Sequence, residues 1–535
     1  MRNALLSVYD KTGIVDFAKG LIDLGWNIIS SGGTAKVISE AGLPVLDVAK
    51  IVGGKAILGH RVVTLSREVH AGILSTDSVQ DRRQLKRLKI PRIDLVCVDM
   101  YPLEEEIAKS FNTYASVIEK TDIGGPTMLR SGAKGGRVVI CDPKDREKVL
   151  NWLQLGEMHD NTIRKLAAKA EFVVANYVLA SALYLGEGDY AGFTGILHRI
   201  LKYGENARQR DARHFVAKTA KGDPLSLDKF ELVEGASPSY VNMTDIDRVL
   251  ATATRIGRSW LNNFLRVPRL AIAVKHGNAC GVGVADNPYE ALIKMVSGDP
   301  EAISGGIILV NFEVNAEYAD LLRSHLMPNR ERRVLDSVIA PSFTPEAIEI
   351  LARKKTGKCR LLANPALGGE SLGRYGAIDS TLRFRQVRGG FLVQDGDSFI
   401  FEIPMEWQGN LSPRIQEDLV FAWAIGSTSN SNTITIVRHR KLLGQGVNQR
   451  SRKMAAKVAL LYTEEYGHDT EGAVAYSDSF FPFADGPEVL AKAGIKTIFA
   501  TSGSIRDKEV AKACEEWGVT LLTLPDTEAR GFFGH

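Results

Sequence analysis

Apolar and polar positions along the first half of the chain fall into a repeating order, a short apolar run followed by a stretch with helical spacing. "NALLSV" leads into "KTGIVDFAKGLIDLG", whose apolar residues recur at three- and four-residue steps as far as Gly25. "WNIIS" predicts a second strand, and "SGGTAKVISEAG" turns into a second helix. "IDLVCVDMYP" and "GRVVICDP" are further buried runs, each stopped by proline or a polar residue. Strands alternating with helices in this way predict an α/β fold with a mostly parallel sheet covered on both faces. Ligands of such sheets sit beyond the carboxyl ends of the strands, and here those ends carry Ser7 to Lys11, Ser31 to Thr34, and Tyr101. "TIRKLAAKAEFVVANYVLASALYL" reads as an alanine-rich helix, and the glycine-rich "GEGDYAGFTG" after it marks a domain boundary, giving domains over 1–195 and 200–535. Beyond it the mixture resumes in "LAIAVK", "GGIILVN", "DSVIAP", "NTITIV", "GAVAYSD" and "IKTIFAT". No sequence repeat is visible, although the region is large enough to hold two similar subdomains.

Composition narrows this picture without redirecting it. With 67 Lys+Arg against 63 Asp+Glu, the net charge is only +4, too small to point to a nucleic-acid or membrane partner, while leaving small anions as ligands. The 5 cysteines form no C-x-x-C pair, which argues against a zinc site or a disulfide framework and for a reducing, cytoplasmic location. The N-terminal apolar run is too short for a signal peptide, and no run of about 18 apolar residues predicts a membrane span.

Several segments could carry chemistry. In "SSGGTA", glycines between a strand and a helix would let backbone N–H groups approach an anion at a helix N-terminus, or simply make a capped tight turn. Lys11 stands at another strand-to-helix junction and could serve the same anion. In "TDIGGPTMLRSGAK", Asp122 precedes a glycine pair and Pro126, with Lys134 near the end of the helix they open; an Asp cap and a solvated Lys explain the pattern equally well. "LKYGENARQR" places Lys202, Tyr203, Asn206 and Arg208 together, suited to a phosphate-bearing ligand or to a solvated face. In "LAIAVKHGNACGVGVAD", an apolar strand ends in Lys275 and His276 and continues into a small-residue loop that would leave room for a ligand. Histidine titrates near neutrality and moves protons, and lysine stabilises charge developing on a carbonyl oxygen. Asn432, Gln449 and Arg452, and the loop from Asp478 to Pro487, end later apolar runs, where Phe480, Phe481 and Phe483 either join the core or stack on a flat heterocycle.

In this order, "SVYDKTG", "SGGTA", "DIGGP", "KYGEN", "VKHGNACGV", "SGGII", "APSFTPEA", "GGFLVQD", "SDSFFPF" and "GSIRD" resemble the bifunctional purine-biosynthesis family, AICAR transformylase/IMP cyclohydrolase, over nearly the whole chain. The resemblance implies an N-terminal methylglyoxal-synthase-like domain that closes formyl-AICAR to IMP. There Ser7, Lys11, Ser31, Gly33, Thr34, Arg61 and Thr64 would bind nucleotide, and Tyr101, Asp122 and Lys134 would move protons. It also implies two cytidine-deaminase-like subdomains that transfer a formyl group from 10-formyltetrahydrofolate to AICAR. In these, Lys275 and His276 would form the catalytic pair with Asn432 beside them. Lys202, Tyr203, Asn242 and Gly305 would contact AICAR, and Arg452 and Asp485 would face the folate. The family uses no metal and forms homodimers whose transformylase sites straddle the interface.

This chain departs from the family pattern at several positions. "GHRVVTLSREVHAG" replaces R-V-K-T-L-H-P, so a substrate-contacting lysine becomes Val63, and Arg67 is the nearby cation that could reach back. "KYGENARQ" has Lys202 for Arg, Ala207 for Pro and Arg208 for His; lysine keeps the charge but loses the bidentate fork that suits phosphate. Ser304 stands where an aromatic is common, and Arg530 is one position out of register. Three readings follow: a working bifunctional enzyme, a transformylase with an impaired cyclohydrolase domain, or a non-catalytic nucleotide-binding homologue.

Overall fold

Strand β1 (Arg2–Val8) sits at the centre of a five-stranded parallel sheet, where its apolar residues are buried on both faces. β2 (Trp26–Ser30) and β3 (Leu46–Asp47) lie on one side, β4 (Leu95–Asp99) and β5 (Val138–Ile140) on the other, giving the order β3-β2-β1-β4-β5. One apolar cluster covers one face with α1 (Ile14–Asp23) and α2 (Gly32–Glu40); a second covers the other with α3 (Gly124–Lys134) and α4 (Asp160–Leu185). The computed structural model describes residues 2–58, 61–217, 222–352, 359–374 and 381–534, and the chain separates into two units, Met1–Thr194 and Gly195–His535. By length and composition alone α4 could cross a bilayer. In the first unit its Leu166, Ala170, Val174 and Tyr177 are buried, and it packs along α3 and β5.

The second unit holds an eleven-stranded mixed sheet, and its order exposes a repeat that the sequence conceals. After β6 (Gly195–Ile200), β7 (Arg213–Ala217) and β8 (Glu231–Glu234) comes helix α5 (Tyr240–Phe264). The hairpin β9 (Arg269–Lys275) and β10 (Asn278–Ala285) follows, then α6 (Pro288–Val296). β11 (Ile307–Val310), β12 (Ser337–Ala340) and β13 (Arg360–Ala363) then add in parallel, with helices Ala316–Ser324 and Pro345–Leu351 between them. Past a small hairpin of β14 (Arg383–Val387) and β15 (Gly390–Gln394), the same series recurs. It runs α7 (Pro413–Gly426), hairpin β16 (Ile434–Arg438) and β17 (Lys441–Gly446), α8 (Arg452–Glu465), then β18 (Val474–Ser477), β19 (Thr497–Ser502) and β20 (Thr520–Pro525). The sheet reads β20-β19-β18-β16-β17-β10-β9-β11-β12-β13-β8, the same strand order outward from the β17/β10 seam in each direction. α5 and α7 share one core on one face, around Trp260, Trp423, Phe401 and Phe499, while the α6 and α8 sides keep separate cores.

Each second hairpin strand carries two alternate glycines for one physical reason. A Cβ on Gly281 or Gly283 would be driven into the carbonyl oxygens of Met295 and Ala291 on α6, and one on Gly444 or Gly446 into those of Ala459 and Ala455 on α8. The glycines at the far end of "GNACGVG" therefore admit a helix against the sheet, while Asn278, Ala279 and Cys280 at its start line a cavity. Ala at Gly283 or Gly446 is expected to lower the unfolding free energy of this unit by about 1–3 kcal/mol through overpacking. Ala at the open Gly409 should change it by less than about 0.5 kcal/mol. Urea unfolding followed by the buried Trp260 and Trp423 measures both, and equal midpoints for all three variants would contradict the packing argument.

Candidate functional site

In the second unit, Lys275 is the last residue of β9 and pairs across the hairpin with Asn278. Between them His276 and Gly277 take φ values of 53° and 73°, the left-handed pair of a tight two-residue turn. The other repeat forms the same turn with His439 and Arg440, at φ 52° and 61°. Both turns are held by a buried aspartate on the preceding helix. Asp245 of α5 accepts the Gly277 N–H, and Asp418 of α7 accepts those of His439 and Arg440 at 2.9 and 2.6 Å. Burial raises the pKa of both carboxyls, that of Asp418 to about 6. His276 is exposed at the tip, with the charge of Asp245 close by, while half-buried Lys275 donates from Nζ to the Ser304 carbonyl at 3.1 Å. Lys275, His276, Asn278, Asp299, Gln445 and Gln449 line a cavity of about 330 Å³.

The other expected residues of this unit are held by contacts of their own. Asn242 lies one turn before Asp245 on α5; its side chain caps the helix with Ser239 and donates to Asp336, which also pairs with Arg360 at 2.9 Å. The Asp336 N–H donates to the Gly306 carbonyl, next to Gly305, which adopts φ 80°. Tyr203 accepts the Tyr240 N–H at the start of α5, and the Lys202 ammonium stands 5.8 Å from the Tyr203 ring. Arg208 is exposed on the same loop, beside a cavity of about 480 Å³ lined by Gly204, Gln209, Arg210 and Tyr240. Asn432 donates to the Gln449 carbonyl at 2.8 Å and so backs the first cavity. Arg452 opens α8 and reaches Asp478 at 3.3 Å; burial lowers its pKa. Asp485 begins the helix Asp485–Lys492 and pairs with Lys453 at 3.5 Å. Phe481 is a core residue and Phe483 is exposed beneath Arg506.

In the first unit the expected residues gather at the carboxyl edge of the parallel sheet. Ser7 is the last residue but one of β1, and Lys11 folds back to donate to the carbonyls of Val8 and Tyr9 while lying across Gly33. Ser31 occupies the N-cap position of α2 without making a side-chain cap bond. The Thr34 hydroxyl is buried and exchanges hydrogen bonds of 3.1 Å with the N–H and carbonyl of Val8, which ties α2 to β1. Asp99, joined to buried Arg146, accepts the N–H groups of Tyr9 and Asp10 and holds that loop in place. Asp122 accepts the N–H of Gly125 at 2.8 Å and those of Tyr101 and Gly124; burial raises its pKa, and side chains at the glycines would strike its carboxylate or Thr64. Tyr101 meets Tyr9 edge to face at 5.5 Å; burial first and the Asp122 charge second raise its phenol.

Lys134 lies apart from that edge. It is exposed in the last turn of α3, roughly 15 Å of helix rise from the end that holds Asp122. Arg61 is exposed and pairs with Glu119 at 2.7 Å. Arg67 pairs with Glu68 at 2.7 Å instead of reaching back toward the site, and Val63 packs, partly buried, on the core. Sequence reasoning passed over Asp245, Arg248, Asp336, Tyr177 and Lys120. For Asp245 and Arg248 the signal was available, as charges on the otherwise buried face of α5. Tyr177 accepts the Asp122 N–H at 2.6 Å and gave no local signal at all.

A family model described as AICARFT/IMPCHase bienzyme matches residues 136–461, and one described as MGS-like domain matches 13–127. The bifunctional purine biosynthesis protein PurH of Anoxybacillus flavithermus is 36% identical over 540 residues, covering 97% of this chain and 98% of its own. The proteins of the same name from Persephonella marina and Bacillus cereus are 34% and 36% identical over 534 residues, with the same coverage.

The Asp122 carboxyl is expected to titrate above the ordinary aspartate value of about 3.9. A raised folded pKa means the folded state holds the proton more tightly, so this group's contribution to stability falls as pH rises from the ordinary value to the raised one. Carbon-13 titration of the carboxyl checks this; a value at or below the ordinary one would contradict burial as the controlling term.

Proposed function

The chain belongs to the AICARFT/IMPCHase bienzyme family, a bifunctional enzyme of the last two steps of purine biosynthesis, and from that membership we propose how its two units divide the chemistry. The second unit transfers a formyl group from a reduced folate, 10-formyltetrahydrofolate, to the 5-amino group of AICAR. The amine is a poor nucleophile, because the ring and carboxamide withdraw its electron pair. His276 takes the amine proton as nitrogen bonds to the formyl carbon, and Lys275 holds the oxyanion formed from the carbonyl. Collapse of that intermediate breaks the bond to the folate nitrogen, which leaves with a proton as tetrahydrofolate. The observation that carries this reading is the tight turn that presents His276 at a cavity shared with Lys275. Lys202, Tyr203, Asn242 and Gly305 face AICAR, Asn432 supports the pair, and Arg452 and Asp485 face the folate.

The first unit closes formyl-AICAR to IMP. The carboxamide nitrogen bonds to the formyl carbon and loses a proton, the formamide nitrogen loses its proton as the ring C=N bond forms, and the former formyl oxygen leaves with both as water. Asp122 orients or deprotonates the amide, and Tyr101 delivers the proton to the departing oxygen. Ser7, Lys11, Ser31, Gly33, Thr34, Arg61 and Thr64 form the nucleotide side. Lys134 lies too far along α3 to act at Asp122 of the same protomer; in a homodimer it would serve the edge of the neighbouring copy. The protein works in the cytoplasm on small molecules, without a metal.

Purified protein given formyl-AICAR alone is expected to make IMP, and given AICAR with 10-formyltetrahydrofolate to make tetrahydrofolate and IMP. His276→Ala should lower formyl transfer by roughly 10²–10⁴-fold while sparing cyclisation. Separate assays of IMP and tetrahydrofolate check this; equal loss of both activities would sink the two-site assignment, and absence of IMP from formyl-AICAR would mark the first unit as impaired.

A further inference from the structure

Ring closure turns a neutral formyl carbonyl into an oxyanion, and a positioned cation lowers the barrier by holding that charge. Most cations around the Tyr9–Tyr101 edge are already engaged. Lys11 donates to two backbone carbonyls, Arg146 to Thr12 and Asp99, Arg61 is paired with Glu119, Arg67 with Glu68, and Lys109 with Glu106. Val63 adds only an apolar side chain. Lys120 differs from all of these. Its ammonium stands 5.5 Å from the centre of the Tyr9 ring and 6.0 Å from that of Tyr101, and it enters no ion pair among the described residues. Glu106, the carboxylate that feels its charge, is the one already paired with Lys109.

The backbone fixes where that ammonium starts from. The Tyr177 hydroxyl donates to the Lys120 carbonyl at 3.0 Å and accepts the Asp122 N–H at 2.6 Å, so one phenol holds the residues on either side of Thr121. The Lys120 N–H continues the helix Tyr114–Glu119 by donating to Ser116. A cation is therefore anchored two residues from Asp122 and rests on the ring of Tyr101, with its charge held by aromatic faces and free for a ligand.

We propose that Lys120 is the cation of the cyclohydrolase site in this chain, donating to the formyl oxygen of formyl-AICAR as ring closure makes it an oxyanion. The proposal rests on the reading of the first unit as the cyclohydrolase. In the step it assigns, the carboxamide nitrogen bonds to the formyl carbon and the carbonyl π pair moves to oxygen, where the Lys120 ammonium holds it. Tyr101 delivers a proton to that oxygen, and as the C–O bond breaks and the ring C=N bond forms the formamide N–H proton returns to the phenol. The proton lost by the carboxamide nitrogen and the one lost by the formamide nitrogen thus leave with the oxygen as water.

The test uses the full-length protein with formyl-AICAR as the only substrate, and formyl transfer to AICAR in the second unit as the integrity control. Lys120→Ala should lower kcat for cyclisation by about 10²–10³-fold, with KM little changed and formyl transfer retained. Added alkylammonium should restore part of that kcat, which a loss of packing alone would not allow, and Lys120→Arg should stay within about tenfold of wild type. Cyclisation by Lys120→Ala at the wild-type kcat, a rise in KM alone, or a loss that alkylammonium leaves untouched would each overturn the proposal. A wild-type protein that fails to cyclise formyl-AICAR would instead overturn the reading of the whole unit, and the inference with it.

Discussion

The site in the second unit depends on a buried carboxylate that accepts backbone N–H groups at the tip of a hairpin. A two-residue turn needs positive φ at both central positions, which a non-glycine residue adopts at a cost of about 1–3 kcal/mol. Asp245 stabilises the conformation by receiving the Gly277 N–H, and the turn in exchange carries the His276 side chain out to solvent beside Lys275. Asp418 does the same for His439 and Arg440 in the other repeat, so the device belongs to the fold before it belongs to the chemistry. What distinguishes the two tips is their surroundings. The first faces a cavity with Lys275 and Gln449, whereas Arg440 at the second reaches Asp286 and Glu417 in surface ion pairs.

The alternate glycines of β10 and β17 are the second constraint. They bring α6 and α8 down onto the sheet, which lets two repeats join along one seam into a single sheet with a shared core. Asn430 then bridges the repeats at the site: its N–H reaches the Asn278 side chain at 3.3 Å, and its own amide oxygen accepts from Arg248 at 2.8 Å. Burial lowers the Arg248 pKa to about 10, and its guanidinium lies 3.9 Å over the Phe533 ring. The second repeat thereby supports the hairpin tip of the first.

Much of the parallel sheet in the first unit was legible, because strand ends coincide with proline and polar residues and the helices between them have clear spacing. Ser7, Lys11, Ser31 and Tyr101 fall at the carboxyl edge for that reason. Lys134 stands a helix length from Asp122, because twelve residues in sequence become the run of α3, and local pattern cannot say which end of that helix faces the site. The two similar subdomains were expected from the resemblance and not from any visible repeat, because the repeat is one of topology and of glycines and turn geometry, "KHGNACGVG" beside "RHRKLLGQG", with little shared side-chain chemistry. Tyr177, Asp336 and Lys120 act across elements distant in sequence, so periodicity carried no trace of them.

The central claim is that the turn held by Asp245 presents His276 and Lys275 to one reacting centre. A crystal structure of the protein with bound AICAR tests it most directly. The account predicts the 5-amino group within about 3 Å of a His276 ring nitrogen, with the Lys275 ammonium on the side where the formyl oxygen would develop charge. An amine directed away from both residues, with nucleotide otherwise bound, would contradict it.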